Sequence, residues 1–341
     1  MNNENVQIIV EDRVVHDFGI PTKKWVLWHV TGRCNIECPY CYGSFNGGSY
    51  KSDFSRADDI PLNTLVAAAE DIASLGFEYV HINGGEPLLR SDIVEFLSEL
   101  RRIGLKVWLL TNGTTQLSKL SNIIKNNLVD LLAISIDAKD AETINLQRER
   151  GESVIKNTTR IVHFRNEYRS KVKLGAYCVA TKLNLGKIPD LVDYLIELGF
   201  DYLNVQPMYL PVGHFFGKNN IERIHLAQVE AYIDHMRKNA DKIQVSTEAN
   251  FSLTKFGLNV DQSKLTAKNC FARDGRYLYI GPTGNVHGCP AIPPKHNKLI
   301  GNIVQGRLSE FYSTMDRSGG GRCEFLSLDC LGMYEMVYQN D

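Results

Sequence analysis

Trp25-Val-Leu-Trp-His-Val30 passes through Thr31-Gly-Arg33 straight into Cys34-Asn-Ile-Glu-Cys38-Pro-Tyr-Cys41. The first of these runs is aromatic and β-branched, which predicts a strand, so the three cysteines occupy the loop at that strand's carboxyl end. Outward from it, strand-like runs recur at residues 79–82, 107–110, 131–136, 173–180 and 202–205. Between them, apolar residues return at helical spacing over 62–75, 93–103, 154–168 and 188–198. Strand and helix alternating about six times predict an α/β fold on a parallel sheet with crossover helices, in which reactive groups gather at the carboxyl ends of the strands.

Around residue 213 the pattern changes to a helical, linker-like stretch that continues toward Lys242. A further region opens near Asn269, with a strand–turn–strand over 277–286 built on Gly281-Pro-Thr-Gly284. At 341 residues the chain is long enough for one large core and a smaller appended unit. With 43% hydrophobic and 23% charged residues it has a soluble, globular composition. Lys and Arg (38) balance Asp and Glu (39), which argues against a nucleic-acid partner held by its phosphates. Residues 1–17 lack the basic-then-apolar pattern of a signal peptide, and no stretch approaches the ~20 apolar residues of a membrane helix. A cytoplasmic protein with no membrane partner is expected.

The eight cysteines do not suit a disulfide scaffold, which belongs to short secreted chains. Cys34, Cys38 and Cys41 lie early, Cys178 stands alone, and Cys270, Cys289, Cys323 and Cys330 lie late, a distribution that suggests metal ligation. Three thiolates separated by three and then two residues can wrap one face of a cubane iron–sulfur cluster and leave the fourth iron without a protein ligand. A structural zinc site is the alternative, but it wants four protein ligands, and His29 in the preceding strand is the nearest further candidate.

With Tyr40 placed before the third cysteine, this loop resembles the motif of the radical S-adenosylmethionine superfamily, and the likeness extends over residues 25–213. Gly84-Gly85-Glu86-Pro87 is similar to the family's segment at the second strand end, where the glycines let backbone approach the cofactor's methionyl part and Glu86 would accept from its amino group. Thr111-Asn112-Gly113 closes the third strand as in relatives. Ser135-Ile136-Asp137, with Arg148 beyond it, resembles the segment that holds the cofactor's carboxylate and ribose, and Gln206-Pro207-Met208 would shape the pocket wall. The resemblance implies a partial (β/α)6 parallel barrel, one [4Fe-4S] cluster, S-adenosyl-L-methionine (SAM) and a flavodoxin- or ferredoxin-type electron donor. It further implies reductive cleavage of SAM to a 5′-deoxyadenosyl radical that abstracts a substrate hydrogen.

Cys270, Gly284 and Cys289, with thirteen and then four residues between them, resemble the opening of the superfamily's SPASM or shorter twitch extension. Only Cys323 and Cys330 follow, whereas a two-cluster extension needs about seven cysteines, so one auxiliary [4Fe-4S] cluster on Cys270, Cys289, Cys323 and Cys330 is implied. A zinc site on the same four thiols stays open. The resulting division is an N-terminal extension (1–23), the radical SAM core (24–215), a helical linker (216–265) and a small β-hairpin-plus-helix auxiliary domain (266–341).

Cys178 could quench a substrate radical, as a cysteine does in radical peptide epimerases, and Tyr177, His214 and Asp274 are further pocket candidates. Strand alternation puts Tyr177 and Cys178 on opposite faces, with Tyr177 toward the barrel interior. Two substrate classes remain. Most enzymes with this core and extension act on peptides, which implies maturation of a ribosomally made peptide, such as an oxidative cross-link. A small molecule, such as a sugar or aminocyclitol alcohol, is the other. A non-catalytic electron carrier would account for the cysteines but not for Glu86, Ser135 and Arg148.

Overall fold

The structure is a computed structural model that describes residues 24–41, 59–115, 117–208, 216–222, 225–247, 275–288 and 299–313. Seven strands follow one another in the first part of the chain: β1 (Trp25–His29), β2 (Tyr79–Asn83), β3 (Lys106–Thr111), β4 (Leu131–Ser135), β5 (Lys173–Ala180), β6 (Tyr202–Pro207) and β7 (Gln244–Thr247). Each pairs in parallel with the next, in sequence order. The crossovers contain α1 (Leu62–Ser74), α2 (Ile93–Ile103), α3 (Leu117–Lys125), α4 (Ala141–Asn145), α5 (Gly151–Glu167), α6 (Ile188–Glu197) and α7 (Leu226–Lys238).

Alternation decides which face these helices cover. Val26 and Trp28, Val80 and Ile82, Val107 and Leu109, Leu132 and Ile134, and Leu203 and Val205 are all fully buried and join one hydrophobic core. α2 supplies Ile93, Phe96, Leu97 and Leu100, the i, i+3, i+4, i+7 stripe of a helix lying on a sheet, and Phe96 meets the Trp28 ring edge-on at 5.3 Å. The helix stops at Gly104, whose φ of 94° is the left-handed cap that returns the chain to β3.

The other face curls inward. β2 and β5 are separated by β3 and β4, which would set them roughly 14 Å apart in a flat sheet. Yet the rings of His81 on β2 and Tyr177 on β5 lie 5.7 Å apart. Tyr79, Trp108, Leu131, Tyr177 and Tyr202 close the lower part of this face as a second cluster. The sheet therefore bends into a partial barrel, with its helices outside.

The C-terminal segment joins this sheet rather than standing clear of it. β8 (Tyr277–Ile280) pairs in parallel with β1, and β9 (Asn285–His287) and β10 (Leu299–Asn302) extend it antiparallel, giving the order β10-β9-β8-β1-β2-β3-β4-β5-β6-β7. The expected turn is present: Gly284 has φ 88° and donates to Gly281 O at 2.9 Å. α8 (Leu308–Ser313) is then fastened back onto α1. Asp71 of α1, 2% exposed, accepts from Arg307 Nε at 2.9 and 3.0 Å, and the Arg307 guanidinium holds its carboxyl below the usual carboxylate range. Tyr312 of α8 donates to Gly275 O at 2.7 Å, tying the helix to the chain entering β8.

Four elements depart from the sequence expectation. α3, α4 and β10 were not foreseen, and the linker expected to be helical continues past α7 into β7, a seventh parallel strand. Among the described residues, no helix is long and apolar enough to cross a membrane.

Candidate functional site

The carboxyl end of β1 is held open by backbone rather than by side-chain bulk. Gly85 N donates to Thr31 O at 2.9 Å and Glu86 N to Arg33 O at 2.7 Å, so the loop after β2 grips the segment leading into the cysteines. A Cβ on Gly84 would lie 2.5 Å from Thr31 O, and one on Gly85 2.1 Å from Arg33 O. No side chain fits at either position, because residues 31–33 occupy the place a Cβ would take. Below the grip, Arg90 is 1% exposed and donates to Val30 O, Ile60 O and both oxygens of Asp92 at 2.8–2.9 Å.

Within the loop, Cys41 N donates to Cys38 O at 3.0 Å, and Cys34, Cys38 and Cys41 are free thiols. Asn112, at the end of β3, donates through Nδ2 to Asn35 Oδ1 at 2.8 Å and lies 3.8 Å from Cys34 Sγ. Burial pushes the Cys34 thiol up, and pushes Cys38 up to about 12, with the Arg148 guanidinium pulling Cys38 the other way. Such thiols become ligands by giving their protons up to a metal.

Glu86 is fully buried and joins two strand ends. Oε1 accepts from Leu88 N at 3.0 Å and Thr111 Oγ1 at 2.8 Å, and Oε2 from Asn112 N at 2.7 Å. Burial raises its carboxyl to about 7, while those three donors pull it down. A carboxylate accepts about four bonds, so one direction is left.

Asp137, just past β4, forms a buried ion pair with Arg148, which lies between α4 and α5. Arg148 and Asp137 are 4% and 0% exposed and meet through Nε and Oδ2 at 2.8 Å. Arg148 Nη1 also donates to Ser135 O at 3.0 Å and Nη2 to the Tyr40 hydroxyl, while Tyr40 donates to Asp137 Oδ2 at 2.8 Å. Asp137 Oδ1 accepts from Val179 N at 2.9 Å. Tyr40, from the cysteine loop, is thereby anchored to β4 and β5, and its ring packs beside Phe216 at 6.2 Å. Gln206 sits at the end of β6 in register with Val179, partly exposed on the interior face.

Cys178 is corrected as a radical quencher. It is 1% exposed on the helix-covered face, inside the main core, 3.5 Å from Asn184 Nδ2, and burial pushes its thiol well up. Tyr177 turns to the interior, between His81 and Tyr202. Cys270, Cys289, Cys323, Cys330, His214 and Asp274 lie outside the described residues. Asn35, Arg33 and Arg90 were not singled out in the sequence. Only Arg90 left a trace there, as a lone cation directly after Pro87-Leu-Leu.

The donor set fits an iron–sulfur cluster. Cys34, Cys38 and Cys41 are free thiols of one loop, and among the described residues no three His, Cys, Asp or Glu side chains are arranged to hold a single metal ion. A closed zinc site needs that close grouping, whereas each thiol of a cubane has only to reach its own iron. The sequence profile of the Radical SAM superfamily matches residues 28–163, the stretch that contains this loop, the glycine grip and the Asp137–Arg148 pair. Over those residues the chain matches the radical SAM superfamily.

A PqqA peptide cyclase of Bradyrhizobium diazoefficiens is 24% identical over 80% of this chain and 68% of its own length. An Fe-coproporphyrin III synthase of Methanosarcina barkeri is 26% identical over 53% of this chain and 43% of its own. The chain spans from under half to about two thirds of the length of these relatives. Among solved structures, Streptococcus suis SuiB bound to precursor peptide SuiA superposes with a TM-score of 0.69 at 17% identity, covering 87% of this chain and 66% of that one. Native anSMEcpe with bound AdoMet gives 0.62 at 17% identity, covering 86% and 81%. At those identities the likeness is one of fold.

Proposed function

We propose that this protein is a radical SAM enzyme that removes a hydrogen atom from a ribosomally made peptide during its maturation. The observation that carries the reading is the loop of three free thiols at the end of β1, locked to the ends of β2, β3 and β4 through Gly85, Asn112 and Tyr40. When bound, the reduced [4Fe-4S] cluster and SAM supply the one-electron chemistry that breaks a carbon–hydrogen bond.

The residues of the chain bind and orient. Cys34, Cys38 and Cys41 would hold the cluster. The direction left on Glu86 would receive the cofactor's ammonium, with Gly84, Gly85, Asn112 and Gln206 lining the pocket. Three donors of Arg148 are used by Asp137, Ser135 and Tyr40, and the two that remain would receive the cofactor's carboxylate. A peptide is favoured over a small molecule because PqqA peptide cyclase recurs among the relatives. A cytoplasmic location and a flavodoxin- or ferredoxin-type donor go with this chemistry.

The test uses anaerobically reconstituted protein with SAM, dithionite and synthetic copies of short peptides encoded beside its gene. The expected result is 5′-deoxyadenosine together with a peptide that has lost hydrogen by mass spectrometry. No 5′-deoxyadenosine above the enzyme-free control would sink the radical reading, and 5′-deoxyadenosine with every peptide unchanged would sink the peptide.

The auxiliary cluster on Cys270, Cys289, Cys323 and Cys330 belongs to the same proposal, supported by their spacing, with residues 266–341 as its unit. About eight iron atoms per chain are then expected. Cys289→Ala should leave 5′-deoxyadenosine measurable while the peptide product fails, because the first cluster is held by Cys34, Cys38 and Cys41 instead. A stable variant that still forms full product would rule out a catalytic part for this cluster.

A further inference from the structure

Along β1 to β6 the interior face remains partly exposed at Leu27, His81, Asn83, Leu110, Ser135, Tyr177, Val179 and Gln206, while the residues alternating with them are buried. That pattern describes a chamber inside the curled sheet, open toward the strand ends that carry the cofactor-binding candidates. Its floor is the buried hydrophobic cluster of Trp108, Leu131 and Tyr202. Of the side chains that these six strands turn to the face, His81 is the only partly exposed imidazole, and none is a carboxylate.

His81 is poorly explained by packing. Its ring stands 5.7 Å from that of Tyr177 and 6.1 Å from that of Trp108, so aromatic rings flank it on two sides. Nε2 is shielded from water and has no hydrogen-bond partner among the described residues. A buried ring nitrogen in that state costs free energy, which a fold has no reason to keep when leucine or phenylalanine would fill the same place. Burial draws the imidazolium down to about 4, so the ring is neutral near pH 7 and can form a hydrogen bond without bringing a charge into the chamber.

We propose that His81 is a substrate-contacting residue whose unpartnered ring nitrogen hydrogen-bonds an O–H or N–H group on the substrate residue seated between Tyr177 and the strand ends. This rests on the proposed function only in taking the chamber as the substrate's place. It narrows the substrate to a residue that carries a polar hydrogen. An aliphatic residue leaves the nitrogen as orphaned as it is in the free protein, and selectivity arises from that difference.

The test uses phenol as a probe with an O–H on a ring, and toluene as the same shape without it. Reconstituted full-length protein labelled with 15N at histidine is titrated with each. Phenol is expected to move the His81 ring-nitrogen signals saturably, and toluene to leave them in place. In His81→Phe, phenol should bind about tenfold more weakly, the worth of one hydrogen bond, with toluene binding retained. His81→Gln, which keeps a polar planar end, should recover most of the phenol affinity. Iron content and melting temperature report whether each variant is folded, and the titration of the parent protein decides the matter even if a variant is not. Phenol that leaves the parent's His81 signals unmoved, or that binds His81→Phe as tightly as the parent, overturns the proposal. Absence of 5′-deoxyadenosine from the parent protein instead counts against the radical chemistry alone, since the phenol titration needs no turnover.

Discussion

Replacing Cys34, Cys38 and Cys41 together by alanine is expected to remove about four iron atoms per chain and to abolish 5′-deoxyadenosine formation. The loop's backbone should survive the change. It is held by Gly85 N and Glu86 N on Thr31 and Arg33, by Asn112 on Asn35, and by Tyr40 on Asp137, and none of those bonds uses a thiol. The metal-free variant should therefore melt close to the metal-free parent, which separates loss of ligand from loss of fold. At Cys34 and Cys38 the change also removes thiols that burial pushes toward the protonated form, so no charge is orphaned there. Iron analysis, product assay and thermal melting on the two proteins decide it. Iron retained at the parent's level would place the cluster elsewhere, and 5′-deoxyadenosine above the enzyme-free control would end the assignment of this loop.

The strands that meet the helices were legible because their buried residues alternate so strictly, as Val80 and Ile82 or Val107 and Leu109 do. α3 carries Leu120, Ile123 and Ile124 on one face, but its serines, asparagine and lysines dilute the pattern over only nine residues. Four-residue β7 has no apolar signature of its own and is defined by pairing with β6. The turn at Gly281–Gly284 could be read locally, yet the choice of β1 as partner for β8 could not. That choice is made by non-local contacts, the rings of Trp25 and Tyr277 at 4.2 Å and the bond between Tyr279 and His29 Nδ1 at 2.9 Å.

The site divides in the same way. Cysteine spacing and the strand-end segments announce themselves in sequence, because metal ligation and tight turns demand particular residue types. What those residues do for one another is less visible. Asp137 and Arg148 stand eleven positions apart and Tyr40 far upstream, yet they form one buried network. His81 reads as an ordinary strand residue until the curl of the sheet brings it beside Tyr177.

Gly85→Ala is expected to be the most damaging single substitution away from the thiols. Its new Cβ would stand 2.1 Å from Arg33 O, 2.5 Å from Arg33 C and 3.0 Å from Gly32 O. Carbon and oxygen not bonded to each other keep roughly 3.2 Å or more apart, so one of the two backbones has to retreat by about 1 Å. Neither can do so freely. Gly85 N and Glu86 N are bonded to Thr31 O and Arg33 O, and the next residue after Arg33 is the first thiol. Glu86, fixed by three donors, resists movement on the other side. A cost of about 3 kcal/mol or more follows, the range for overpacking where backbone cannot relax. The displaced Cys34 should also lose its place in the cluster. Gly104→Ala supplies the comparison, because its φ is positive, at 94°, while nothing lies within 4 Å of its would-be Cβ. Only the left-handed backbone is strained there, worth about 1 kcal/mol, and the iron should be unaffected. Melting temperature and iron content of the two variants are to be measured side by side. If Gly85→Ala melts within a degree or so of Gly104→Ala and keeps its iron, the grip of the second strand's loop on residues 31–33 does not set the position of the cysteines.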